Sequence, residues 1–170
     1  MVTYLSKQLI QTDIFIEPKE ITLELNENIL NKLIEKNEGK CNSIGYVLKD
    51  SIEIVEKSYG KITYINNINN VQYVVKYICD IIKPTLGETV KCCVENKTDA
   101  GIIAYVKLKD IIPNYIKEND ITNTPIICII PLNKVDDSNN ILKGQRLNIQ
   151  ISAIRNKLNH DNIQVIGTPV

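Results

Sequence analysis

The stretch Val71–Val94, VQYVVKYICDIIKPTLGETVKCCV, decides how the rest of the chain is read. Val71, Tyr73, Val75, Tyr77, Cys79 and Ile81 fall on one face, and Gln72, Lys76 and Asp80 on the other, which Val74, Ile78 and Ile82 make half apolar. Alternation of β-branched and aromatic residues with period two predicts a long strand inside a sheet. Lys83-Pro84 ends it, because proline cannot donate to a ladder and restricts the residue before it. Thr85-Leu86-Gly87 predicts a turn. Glu88 then opens a second alternation, Val90, Cys92 and Val94 against Lys91, Cys93 and Glu95. Two strands meeting at a Pro/Gly corner predict a junction between two domains, residues 1–81 and 82–170.

Upstream, Ile14 and Ile16 alternate with Asp13, Phe15 and Glu17 as a short strand broken by Pro18, and Ile21, Leu23 and Leu25 read as a second extended piece. Asn26 is a candidate N-cap with Glu27 in the first turn, where a carboxylate favours the helix dipole. Ile29, Leu30, Leu33 and Ile34 form an apolar stripe at helical spacing, and Gly39 supplies the stop. Short strands follow at Ile44–Leu48, Ile52–Val55 and Lys61–Ile65, separated by turn residues. The expectation is a small α+β domain with one helix on an antiparallel sheet.

Downstream, strands are expected at Glu88–Glu95, Gly101–Lys107, Ile126–Ile130, Gln145–Ile154 and Asn162–Ile166, with an irregular connection from Leu108 to Thr124. Five short strands with no convincing helix match the five-stranded oligonucleotide-binding (OB) barrel.

Composition narrows the function. Twenty Lys and Arg balance twenty Asp and Glu, so the chain lacks the charge of a tight nonspecific nucleic-acid binder. Residues 1–81 carry 9 basic and 11 acidic side chains, and residues 82–170 carry 11 and 9, a mild lean of the second half toward anions. Five cysteines without a C-x-x-C pair argue against a disulfide framework and a zinc site and for buried thiols in a reducing compartment. No apolar run approaches the ~18 residues of a membrane span, and the first residues lack a signal-peptide core, so an intracellular protein with no membrane partner is expected.

Arg146 and Arg155 are the only arginines. With Lys143 and Lys157 nearby, and Lys91 and Lys107 on neighbouring strands, they form a candidate phosphate-tracking face, the plain alternative being solvated charge. Tyr105 is a candidate base-stacking platform or a core residue. His160 lacks a partnering nucleophile and reads as a turn residue, and Asp136-Asp137 lacks the spacing of a calcium loop. Gly60, Gly87 and Gly101 read as turn glycines. No catalytic constellation, metal site or cofactor motif is apparent.

Glu38-Gly39-Lys40-Cys41, Ile44-Gly45-Tyr46-Val47, Ser58-Tyr59-Gly60-Lys61-Ile62, Val75-Lys76-Tyr77 and Lys83-Pro84-x-x-Gly87-Glu88-x-Val90 occur in this order. As an ordered set they resemble the stalk subunit of multisubunit DNA-directed RNA polymerases, the seventh subunit of eukaryotic polymerase II and its archaeal counterpart. The resemblance is strongest from Pro18 to Val94. It implies a non-catalytic subunit whose N-terminal tip domain docks on the large subunits near the clamp. It implies an S1-type barrel that meets nascent RNA weakly, and a heterodimer with a fourth-subunit homologue. By position it implies core docking at Glu17, Pro18, Gly60, Ile62 and Ile65, and partner contact at Lys83, Pro84, Gly87 and Glu88. The chain departs from the family in its long Leu108–Pro125 connection and its few aromatic platforms. Its Ile- and Asn-rich composition suggests a large DNA virus that encodes its own polymerase, which implies host cytoplasm and virion; a cellular eukaryotic polymerase would imply the nucleus. A free-standing S1-type RNA-binding protein is the alternative function, and a small-molecule enzyme a third class without motif support.

Overall fold

The computed structural model describes residues 4–112, 115–116, 119–135 and 141–170. The chain divides into two compact units. One comprises Lys7–Glu38 and Val47–Asp80, and the other Met1–Ser6, Gly39–Tyr46 and Ile81–Val170.

The long alternation forms β5, Ile68–Ile82. Tyr73, Val75, Tyr77, Cys79 and Ile81 are all buried, as period two requires, while Gln72, Val74, Lys76, Ile78 and Asp80 are half-exposed. β5 is the spine of a sheet. It lies between β1 (Leu5–Ile16) and β2 (Tyr46–Val47), and also pairs with β3 (Glu53–Lys57) and β4 (Lys61–Ile65). β4 and β5 make a hairpin whose register runs from Lys61↔Gln72 to Ile65↔Ile68. Its two-residue turn is Asn66-Asn67, with φ of 49° and 63°. Positive φ at both central residues twists the turn in the same sense as its strands, and asparagine tolerates that conformation.

Helix α1, Leu25–Asn37, buries Ile29 and Leu33 and is followed by Gly39 at φ 69°. Two details differ from the sequence reading. β1 begins at Leu5 rather than Asp13, because its inward side includes the polar Gln8 and Thr12, which hide the alternation. Ile21–Leu25 is no strand; it is a turn into the helix, with Glu24 rather than Asn26 at the N-cap. Interactions anchored on Glu20 account for this. Its carboxylate accepts from the Glu17 amide at 2.9 Å and from Lys32 Nζ at 2.8 Å, and its carbonyl accepts from Asn28 Nδ2 at 2.8 Å. The turn leaves Leu23 fully exposed.

The second unit contains a closed barrel of β6 (Thr89–Thr98), β7 (Gly101–Tyr105), β8 (Ile126–Ile130), β9 (Arg146–Arg155) and β10 (Ile163–Pro169). The order around it is β10-β8-β7-β6-β9, with β8 and β10 parallel and the other pairs antiparallel. Closure removes free edges, and the five strands fit an OB-type barrel. Val90, Cys92, Val94, Ile102, Ala104, Ile126, Cys128, Ile130, Ile149, Ile151, Ile163 and Val165 are buried at 2% exposure or less and fill it. The connection after β7 holds a short helix the sequence reading lacked, α2, Leu108–Ile111, with Leu108 and Ile111 buried.

A bulge in β9 sets which side chains face outward. Ala153 opposes Ile166 and Ile151 opposes Gly167, leaving Ser152 unpaired. The extra residue shifts the alternation by one. Arg155 is thereby exposed, although strict period two from Ile149 and Ile151 would turn it inward.

Candidate functional site

The candidate surfaces are taken unit by unit. On the sheet unit, Ile62 opposes Val71 and Tyr64 opposes Asn69, so these share the face that β5 buries at Tyr73 and Val75. Along the hairpin that face loses its cover: Ile62 is 79% exposed and Tyr64 68%. Tyr59, in the loop before β4, is exposed at 99%. Ile65 and Ile68 oppose each other one register step on, so they sit on the other face of the hairpin, exposed at 38% and 52%. The hairpin thus shows apolar side chains on both faces, a mark of an interaction surface. Of the residues implied by resemblance, Ile62 lies on the first face and Ile65 on the second. Tyr59, Tyr64 and Ile68 were not among the sequence candidates, although an apolar strand pair around an Asn-Asn turn carried the signal.

Gly60 is in the same loop for a different reason than a turn. A Cβ built on it would stand 2.6 Å from Val71 Cγ1 and 2.9 Å from the Tyr73 ring. It is a close-approach glycine, and Lys57 lies over the same Tyr73 ring at 5.6 Å. Glu17 and Pro18 open the short 3-10 turn before α1, with Glu17 paired to Lys19 at 2.8 Å.

Around the barrel, Gly87 takes φ 80° and donates its amide to the Ile151 carbonyl at 2.8 Å. Glu88 accepts from the Thr85 amide and hydroxyl at 3.1 and 3.0 Å, closing the corner. Lys83 is exposed and Pro84 buried.

The expected RNA-facing residues do not gather in one patch. Cys93 opposes both Arg146 on β9 and Tyr105 on β7, so the three form one outward row. Tyr105 is nevertheless buried, 8% exposed, and burial followed by a hydrogen bond with Cys93 pushes its phenol up to about 12. A ring so enclosed matches the core alternative for Tyr105. Arg146 pairs with Asp110 of α2 at 3.8 Å, and Lys143 pairs with Glu95. The long connection therefore brings a carboxylate to the outer side of β9, the fourth barrel strand. Asn119 and Thr124 fasten the connection. Asn119 Oδ1 accepts from the Leu108 amide at 2.8 Å, its Nδ2 donates to the Val106 carbonyl at 3.3 Å, and Thr124 Oγ1 donates to that carbonyl at 2.8 Å.

Lys91, Arg155 and Lys157 are exposed and Lys107 half-exposed. Arg146 and Arg155 stand at opposite ends of β9, about 30 Å apart at ~3.3 Å per residue. The loop after β9 is itself occupied. The Cys41 amide donates to the His160 carbonyl at 2.7 Å, the Asn159 amide to the Cys41 carbonyl at 2.8 Å, and Asn156 Nδ2 to the Asn42 carbonyl at 2.9 Å. His160 thus serves through its backbone.

All five cysteines are free and buried. Burial pushes Cys41 and Cys79 up to about 11, and the Cys128 thiol is raised first by a hydrogen bond with Cys92 and then by burial. Among the described residues no group of three or more His, Cys, Asp or Glu side chains could hold a metal, and no helix is long and apolar enough to cross a membrane. Asp136-Asp137 lies outside the described residues.

Compared with known proteins, the chain matches no family model. It does have a viral relative. Over 165 residues it is 29% identical to a protein of Acanthamoeba polyphaga mimivirus described as a "putative DNA-directed RNA polymerase subunit", covering 88% of this chain and 74% of that protein. The likeness extends into both compact units, so it is not a match of the barrel alone. It supports an RNA polymerase subunit at that level of detail.

Proposed function

We propose that the chain is a non-catalytic stalk subunit of a DNA-directed RNA polymerase. The observation that carries the reading is the likeness to the mimivirus protein over 88% of the chain. The ordered motifs and the presence of a five-stranded barrel support the stalk position. Nucleotidyl transfer belongs to the large subunits.

In this reading residues 1–81 are the docking tip and residues 82–170 the S1-type barrel. Ile62 and Ile65, joined by Tyr59 and Tyr64, contact the large subunits beside Gly60, with Glu17 and Pro18 at a second edge. Lys83, Pro84, Gly87 and Glu88 meet a fourth-subunit homologue. Contact with nascent RNA is weak and electrostatic, carried by Lys91, Lys107, Arg155 and Lys157, because Tyr105 is buried and Arg146 and Lys143 already have acidic partners. The protein works inside the cell, in host cytoplasm and virion for a viral polymerase.

The test is affinity purification of the tagged chain from its native source, with mass spectrometry of what accompanies it. Near-stoichiometric recovery of the two large polymerase subunits is expected. Recovery of ribosomes or RNases in their place overturns the reading and favours a free-standing RNA-binding protein.

A further inference from the structure

β1 is an outer strand of its sheet: the order β1-β5-β2 leaves one of its sides without a strand. Which backbone groups point to that side follows from β5. The Val74 carbonyl accepts from the Ser58 amide and the Asp80 carbonyl from the Leu48 amide, both at 2.9 Å and both on the β2–β3 side. Even-numbered residues of β5 therefore bond away from β1, and odd-numbered ones toward it. The two strands are antiparallel, because the Tyr4 carbonyl, just before β1, accepts from the Lys83 amide, just past the end of β5, at 2.7 Å. Opposite residues share a face, and Ile14 and Ile16 are buried like Tyr73 and Val75. Even-numbered residues of β1 thus bond to β5, and the backbone groups of Lys7, Leu9, Gln11 and Asp13 point outward. The Phe15 carbonyl agrees, since Lys32 Nζ reaches it from outside at 3.2 Å. Among the described residues no other strand or side chain bonds the outward groups from Lys7 to Asp13.

Long sheet edges are ordinarily blunted by proline, by charge or by a covering element. β1 has no proline and only two charges, Lys7 and Asp13. Both are exposed, lie on one face, and have no ion pair among the described residues. They stand three residues to either side of Ile10. Laid antiparallel on a second copy about an axis at Ile10, β1 sets Lys7 opposite Asp13 of that copy and Leu9 opposite Gln11, and the same pairs recur by symmetry. All four residues are odd-numbered, so each pair exchanges both backbone hydrogen bonds. Opposite Cβ atoms then lie about 4.5–5.5 Å apart, within reach of an ion pair. Registers centred on Leu9 or Gln11 also satisfy the backbone, but they set Lys7 against Gln11 or Phe15 and leave both charges unmatched. The edge complements itself in the Ile10 register.

We propose that β1 is a self-association edge, on which two copies of the chain join their sheets antiparallel about Ile10. The backbone groups of Lys7, Leu9, Gln11 and Asp13 hold the pair, and the two Lys7–Asp13 contacts fix its register. The edge is separate from the hairpin patch and does not rest on the polymerase reading.

The experiment is sedimentation velocity of the full-length chain from micromolar to millimolar concentration, where a reversible dimer is expected. Lys7→Asp and Asp13→Lys each set like charges opposite one another twice, and each should raise the dimer Kd about thirtyfold. Mixed in equal amounts, the two variants should dimerise as the wild type does, because each supplies the charge the other lacks. Both positions are exposed, so circular dichroism of either variant stays that of the wild type. Amide hydrogen exchange places the contact. Dimerisation should slow the Lys7, Leu9, Gln11 and Asp13 amides and leave those of Ile10, Thr12 and Ile14, already bonded to β5, unchanged. A monomer at millimolar concentration, a dimer indifferent to both charge reversals, or new protection confined to residues 61–68 would overturn the proposal.

Discussion

Gly60 and Ile62 are two residues apart in one loop and strand, and the structure gives them opposite roles. The Gly60→Ala variant introduces a Cβ 2.6 Å from Val71 Cγ1 and 2.9 Å from both Cζ and the hydroxyl of Tyr73. Carbon atoms prefer separations of ~3.5–4.0 Å, so the loop and the ring must part by most of an ångström. Tyr73 is only 7% exposed, which leaves its ring little freedom to yield. Overpacking of this kind costs about 1–3 kcal/mol. In a chain of 170 residues that lowers the melting temperature by roughly 2–10 °C. Ile62→Asp changes a side chain that is 79% exposed and should leave stability within about 0.5 kcal/mol of wild type. Urea melts followed by far-UV circular dichroism measure both, and retention of the large subunits on the tagged variant reads docking. Gly60→Ala should be destabilised, and Ile62→Asp should fold normally while losing the large subunits. Wild-type stability for Gly60→Ala would refute the close-approach argument. Normal docking by stable Ile62→Asp would remove the hairpin patch from the interface.

Three further outcomes follow from the same geometry. Ellman's reagent should label less than one thiol per native chain within minutes and all five in urea, because every cysteine is buried. Thr124→Val keeps the shape but removes a hydroxyl that donates to the Val106 carbonyl and accepts from the Ile126 amide, and should cost about 1–3 kcal/mol in a urea melt. The hydrogen bonds from Lys32 and from the Glu17 amide hold the Glu20 carboxyl below its ordinary value. A depressed folded-state pKa contributes stability above the unfolded value that is lost as pH falls through the folded one, so wild type should lose more stability below about pH 4.5 than Glu20→Gln does in acid melts.

The polymerase reading and the local geometry constrain each other. Of the seven candidate RNA contacts the sequence offers, the Tyr105 ring is buried, and Arg146 and Lys143, still exposed, acquire Asp110 and Glu95 as acidic neighbours. Here α2 brings Asp110 to Arg146 on β9, and the Gly39–Tyr46 segment ties down the loop after β9.

The spine β5, the strand Lys61–Ile65, α1 and the five barrel strands were legible in the sequence from local pattern: period two in Tyr73–Ile81 and Ile149–Ile151, a continuous apolar run in Ile126–Ile130, helical spacing in Ile29–Leu33. Burial alternates with those periods whatever the strands later pair with. The exceptions mark what only tertiary structure decided. Half-polar β1 needed β5 beside it to become a 12-residue strand, and Ile21–Leu25 became a turn because Glu20 reached Lys32 and Asn28 across the chain. The Ser152 bulge turned Arg155 outward through a register that β10 imposes. Gly60 is glycine because of a ring thirteen residues away, and Tyr105, on the outward row with Cys93, is nevertheless buried. Periodicity is a property of neighbours along the chain, whereas register, close approach and charge pairing belong to residues that meet only when the chain has folded.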